Sequence, residues 1–237
     1  GYHTLITVDQ SGALETDPDV YVKPVVALAS RVPVVAVHEV GISPSQCQHL
    51  LGNMDFKFSR KPVCVTLQTP DLGLVQTYVT HLKSKRPILT AIAYPDETPW
   101  LDRVHDTMQR TSCGNIAALL QRGMEASVLY HHVSAALLND EHLPVVILGD
   151  FNDVENSTPL AALTMGERVY DVGGVDYDEW PSEAKAYLHR FRLNDTFFLA
   201  RNMAQRKRPH THLYRGDGTV LDYILVSNPL SNHNPVA

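Results

Sequence analysis

Short apolar runs rich in β-branched side chains recur through the first third of the chain: Val25–Ala29, Val34–Val37, Val63–Leu67 and Leu74–Val79. Arg31-Val32-Pro33, Gly41 to Pro44 and Pro70 to Gly73 separate them, so the pattern predicts an antiparallel meander. In the third run Thr66 and Gln68 alternate with apolar neighbours, as in a strand with one buried face. Between Asn115 and Asn139 the period lengthens. Leu119, Ala126, Leu129, Val133, Ala136 and Leu137 fall near one face, with Arg122, Glu125 and His132 off that stripe, which predicts a helix. Gly123 weakens it by about 1 kcal/mol relative to Ala. Asn139-Asp140 and Pro144 end it. The continuous run Val145–Leu148 then fits a strand buried on both faces. Ser157-Thr158-Pro159 starts a short predicted helix through Leu163, with Pro159 at its first position. Residues 166–194 read as irregular and Thr196–Leu199 as a strand. Thr211–Tyr214 and Val220–Val226 form a predicted hairpin across Arg215 to Gly218. The fold class is mixed α/β with mostly antiparallel strands.

Composition narrows this reading. The chain has 237 residues, 44% hydrophobic and 19% charged, enough for a core without covalent staples. No apolar run approaches the ~18 residues of a membrane span. Cys47, Cys64 and Cys113 cannot all pair internally, and no CxxC spacing suggests zinc. They read as thiols of a reducing compartment, which predicts a cytoplasmic protein. The formal net charge of −6 disfavours a long footprint on duplex DNA. A local cluster, Arg201, Arg206, Lys207 and Arg208 in a predicted exposed turn, could still contact phosphates.

Four segments could carry chemistry. In Gly149-Asp150-Phe151-Asn152-Asp153, at the end of a predicted strand, Gly149 permits a tight turn and Asp150 offers the hard oxygens that Mg²⁺ prefers. Asn152, two residues on, would face the same side in an extended stretch and could donate to a phosphate or a water. An ordinary Asx turn is the equal alternative. In Thr80-His81-Leu82-Lys83-Ser84, His81 suits an anion site, or it merely caps the sheet. Asp222, in the apolar run Leu221–Ser227, needs a partner, either an imidazole or a structural Arg. His233, in Ser231-Asn232-His233-Asn234-Pro235, could act as acid, base or phosphate donor with Asp222 fixing its tautomer, or be a solvated terminal residue. His131, His132, His210 and His212 lack metal partners in the sequence and read as surface or packing residues.

In this order, HLKS, GDFND, LDYILVS and SxHNPV resemble the endonuclease/exonuclease/phosphatase superfamily. Phe58-Ser59-Arg60-Lys61-Pro62 and the stretch Val25 to Pro33 look like parts of the same family. The resemblance implies one domain over residues 1–237, a two-sheet α/β sandwich of mostly antiparallel strands with helices outside. It implies Mg²⁺- or Mn²⁺-dependent hydrolysis of a phosphate ester, nucleic acid among the candidate substrates, by an activated water. It assigns catalysis to His81, Asp150, Asn152, Asp222 and His233. Substrate contact falls to His81 and Asn152, and metal binding to Asp150 and position 232.

The sequence departs from the family pattern in three places. Nothing before Gly1 supplies the family's early Asn and Glu, so the domain reads as N-terminally incomplete. Glu39 follows the wrong strand to replace that Glu. Position 232 is Asn where the family has Asp, which removes a charge, and only nine residues separate Asp222 from Asn232. The leading expectation is a nuclease or general phosphodiesterase. The alternative is a catalytically impaired member that serves as a binding module.

Overall fold

The computed structural model describes residues 4–42, 56–165, 172–200 and 207–231. In chain order the elements are β1 (Thr4–Ile6), β2 (Ala13–Leu14), β3 (Asp17–Tyr21), β4 (Leu28–Ser30), β5 (Val34–His38), β6 (Val63–Thr69) and β7 (Gly73–His81). Helix α1 (Trp100–Asn139), β8 (Val145–Asp150), α2 (Thr158–Thr164), α3 (Ser182–Arg190) and β9 (Leu193–Asp195) follow. The single turn α4 (Thr196–Leu199), β10 (His212–Tyr214), β11 (Asp217–Thr219) and β12 (Asp222–Ser227) complete them. Six strands make one sheet in the order β5-β6-β7-β8-β12-β9. β5, β6 and β7 are the predicted antiparallel meander. β8 runs parallel to β7, which requires a crossover, and α1 provides it. β12 is antiparallel to β8, and β9 to β12.

The two faces of the sheet are covered differently. On one, Cys64, Tyr78, Val145, Ile147 and Leu225 pack with Ala126, Leu129, Val133 and Leu137 of α1 and Leu160 and Leu163 of α2. Each such large apolar side chain contributes about 1.5–3 kcal/mol on burial. On the other face the paired strands β1 and β4 form a second layer. Val26 and Leu28 pack there on Val63 and Val65. The result is an α/β sandwich with its helices on one side. Val145 and Ile147 are fully buried, whereas Val146 and Leu148 on the second face are only partly covered. The strand expected to be buried on both faces is therefore sealed on one.

Several local expectations need correction. The helix predicted over 115–139 starts fifteen residues earlier, at Trp100, behind Pro99. Arg122 and Glu125, expected off the buried stripe, are 4% and 0% exposed, because each is fully engaged by partners described below. The region 166–194, read as irregular, contains α3 and β9. Thr196–Leu199 is a helical turn rather than a strand, since the Asp195 carboxylate caps it by accepting from the Phe197 N–H at 3.0 Å. The hairpin following Thr211 closes on Asp217–Thr219, not on Val220–Val226. Arg215 and Gly216, both at positive φ (51° and 91°), make the two-residue turn whose twist matches a hairpin. That releases β12 to pair with β8.

Candidate active site

Three side chains from three adjacent strands form one row. His81 ends β7 and is in register with Asp150, the last residue of β8. Asp222, the first residue of β12, is in register with Asp150 on the other side. Side chains alternate along a strand, so the row continues the face of Val79, Leu148 and Ile224, opposite α1. His81 Nε2 lies 3.5 Å from Asp150 Oδ2.

Gly149 makes this row possible. Its φ is +143° and a Cβ there would overlap the Thr80 carbonyl. Only glycine lets β7 and β8 approach so closely just before Asp150. Beyond the strands, the Leu82 N–H donates to the Asp150 carbonyl at 3.0 Å and the Phe151 N–H to the Leu221 carbonyl at 2.8 Å. These bonds bind the three strand ends together. Asn152 does not continue an extended stretch as expected. It sits at φ 51°. Its N–H donates to Asp150 Oδ1 at 2.7 Å and its side-chain amide to the Leu82 carbonyl at 2.9 Å. The Asx turn and the site are thus the same feature.

The imidazole of His81 is held below the usual histidine range, chiefly by burial and then by the Arg60 charge; Asp150, Asp222 and Glu125 oppose the shift. It is neutral at neutral pH, with one ring N–H to donate. Arg60 is placed from both sides. The Ser59 N–H donates to Glu125 Oε1 at 2.7 Å and the Lys61 N–H to Asp9 Oδ2 at 3.3 Å. Glu125 also accepts the Lys83 N–H at 2.6 Å, so one buried carboxylate of α1 clamps the Arg60 loop to the His81 loop. Beside it, Arg122 Nε donates to Asp153 Oδ2 at 2.8 Å and Lys85 Nζ lies 3.0 Å from Asp153 Oδ1. Burial lowers the Lys83 ammonium, helped by Arg122, Arg60 and Arg86 and opposed by Glu125.

The structure therefore brings together His81, Asp150, Asn152 and Asp222. Asn232 and His233 lie outside the described residues. Asp222 is exposed at the start of its strand, which corrects the expectation of a carboxylate enclosed in an apolar run. Its N–H and that of Leu221 both donate to Thr211 Oγ1, at 3.1 and 2.9 Å. Arg208 is not a free surface cation. It pairs with Asp195 and stacks 4.4 Å from the Tyr223 ring centroid. His132 is an interior residue, bonded through Nδ1 to the Tyr78 hydroxyl at 2.8 Å. Glu125, Arg122 and Asp153 were not singled out from sequence as site residues. Asp153 was quoted only as the last residue of the glycine-turn segment, and the signal for Arg122 and Glu125 was a charged pair three residues apart on a helix, which by itself marks a solvated face.

The sequence pattern of the endonuclease/exonuclease/phosphatase family matches residues 74–237, a span that contains all three residues of the row. The chain belongs to that family. No curated protein matches it. The human Nocturnin catalytic domain is similar at 14% identity and a TM-score of 0.42, covering 85% of this chain and 51% of that one. Truncated Caenorhabditis elegans TDP2 is similar at 15% and 0.40, covering 86% and 57%. An endonuclease/exonuclease/phosphatase from Beutenbergia cavernae gives 15% and 0.39, covering 85% and 40%. The chain thus spans about half the length of the solved structures it matches. Members of the family hydrolyse phosphate esters, as phosphoesterases or nucleases. Among the described residues of this member, no helix is long and apolar enough to cross a membrane.

Proposed function

We propose that this family member hydrolyses phosphodiesters by attack of water, at the row formed by His81, Asp150 and Asp222. The observation that carries the reading is the cross-strand register of those three residues, with Arg60 acting electrically on His81. Neutral His81 donates its ring N–H to a phosphoryl oxygen, and the Arg60 guanidinium offsets the charge that builds on the phosphoryl group. The Asn152 amide is tied to the Leu82 carbonyl, which positions its carbonyl oxygen toward an attacking water. Asp222 is the member of the row free to orient that water or to hold His233.

A divalent cation fits the donor chemistry in part. Asp150 and Asp222 are hard oxygen donors side by side, which suits Mg²⁺ or Mn²⁺ rather than zinc. Among the described residues no group of three His, Cys, Asp or Glu side chains is poised to hold an ion. Two carboxylates suffice for an ion that keeps most of its water shell. The ion would be held by Asp150 first, with position 232 contributing an amide oxygen. When bound it would supply Lewis acidity at the phosphoryl oxygens.

The test is hydrolysis of bis(p-nitrophenyl) phosphate and of single-stranded DNA with added Mn²⁺, for the chain and for His81→Ala and Asp150→Asn. Each substitution is expected to lower turnover about 10²–10⁴-fold with unchanged circular dichroism. No turnover, together with phosphate-ester binding that depends on Arg60, would assign the chain to the binding-module alternative. Turnover indifferent to both substitutions would overturn the assignment of the site.

A further inference from the structure

The crossover helix outruns the sheet it packs on. Arg122 and Glu125 hold Lys83 beside the carboxyl ends of β7 and β8. Residues Trp100 to Cys113 include no buried position. At 1.5 Å per residue they project about 20 Å past that edge. This arm is ordered by a strap that runs back along it. The Ile88 N–H donates to the Gly114 carbonyl at 3.0 Å, and Arg103 Nε donates to the Thr98 carbonyl at 2.9 Å.

The strap leaves one face of the arm open. Leu101, Val104 and Met108, followed by Thr111 and Asn115, repeat at alternating three- and four-residue spacings. The same spacing continues into Ala118 and Arg122, which are 1% and 4% exposed, Arg122 against Asp153 and the Lys83 carbonyl. The face that packs on protein in the second half of α1 thus continues uncovered into the first half. There Trp100, Leu101, Val104 and Met108 are 76%, 82%, 50% and 68% exposed. They present on the order of 600 Å² of side chain, the upper end of what monomers leave open.

We propose that this face of α1 pairs with the same face of a second copy of the chain, arm helix against arm helix about a two-fold axis. A symmetric contact through these four residues alone would bury about 1,200 Å², the lower bound for a stable specific interface. The flanking charges disfavour a polyanion. Residues 87–110 carry Asp96, Glu97, Asp102 and Asp106 against Arg103 and Arg110, and both arginines are already engaged by carbonyls of the strap. Thr111 and Asn115 interrupt the stripe, which suits a helix–helix seam, where a polar residue sets register, better than immersion in lipid. An antiparallel pairing centred on these four residues places Val104 near its own copy and Leu101 opposite Met108, and sets the two edges that carry the proposed site toward each other.

Sedimentation equilibrium of the 237-residue chain across the micromolar range should show a dimer. The double variant Leu101→Glu/Met108→Glu, at exposed positions, should keep the circular dichroism of the parent and melt at a temperature independent of protein concentration. It should weaken association by at least ~30-fold. A parent that stays monomeric overturns the proposal, and so does a dimer indifferent to the two substitutions. Flotation with phosphatidylcholine vesicles is the third arm. Vesicle binding by the parent that the double variant loses, without a parent dimer, would reassign the face to a bilayer and overturn the proposal as well.

Discussion

Asp153 shows how a single residue beside the site is made affordable in the interior. Its side chain is 7% exposed and meets both Lys85 and Arg122. Burial alone would raise its carboxyl. The bonds from Lys85, Arg122 and the Val154 N–H outweigh that and hold it below the ordinary 3.8. The folded state therefore binds this proton less readily than the unfolded chain does. The resulting stabilisation is complete above the ordinary Asp value and is lost as pH falls through it toward the lower folded value. Arg122→Ala strands the carboxylate with one exposed lysine and should destabilise the protein by about 3–5 kcal/mol at neutral pH. It should also flatten the acid limb of the stability profile. Urea unfolding of parent and variant from neutral pH down to about pH 3 measures both effects. A loss below about 1 kcal/mol would show that Lys85 alone satisfies the carboxylate.

At the scale of elements, the site depends on β7 and β8 meeting without a side chain between them. Gly149→Ala places a methyl group on the Thr80 carbonyl at a φ of +143°. Either the strands part or Asp150 leaves the row. The expected outcome is a destabilisation of several kcal/mol and, in any folded fraction, loss of the Thr80 and Leu82 amide protection measured by hydrogen exchange. Unchanged protection would mean that the strand ends are not held by this approach. Elements with strong alternation or continuous apolar character, β6, β7 and β8, were legible in the sequence, and so were the glycine turn and the order of His81, Asp150 and Asp222. The remainder was hidden for definable reasons. The first half of α1 carries its apolar stripe exposed, with no described residue of the chain covering it. Thr196–Leu199 has strand propensity that the Asp195 cap overrides. Arg122 and Glu125 look solvent-facing because periodicity counts a charge as polar, while their partners lie on loops 31 and 42 positions away or more in sequence.

Across the whole molecule the net charge of −6 misdescribes the edge that carries the candidate site. Arg60, Lys83, Lys85 and Arg86 come from the two segments that Glu125 ties together; Lys85 pairs with Asp153, and the Arg60 charge acts on His81 beside Asp150. A divalent cation entering this row meets two negative groups, one of them already accepting the Asn152 N–H and facing His81. It also meets the fixed positive charge of Arg60. Position 232 adds no charge. The balance predicts weak binding of Mg²⁺ and Mn²⁺, with dissociation constants on the order of millimolar. The same balance predicts opposite responses to one substitution. Arg60→Gln removes the repelling charge, so Mn²⁺ affinity should rise several-fold, while inorganic phosphate, which the guanidinium attracts, should bind several-fold more weakly. Asp150→Asn should lower Mn²⁺ affinity and leave phosphate binding equal or stronger. Calorimetric titration of the three proteins with MnCl₂ and, separately, with phosphate reads all of these directly. Micromolar Mn²⁺ binding by the unmodified chain, or cation and anion affinities that move in the same direction in Arg60→Gln, would show that Arg60 does not share a field with the Asp150 row.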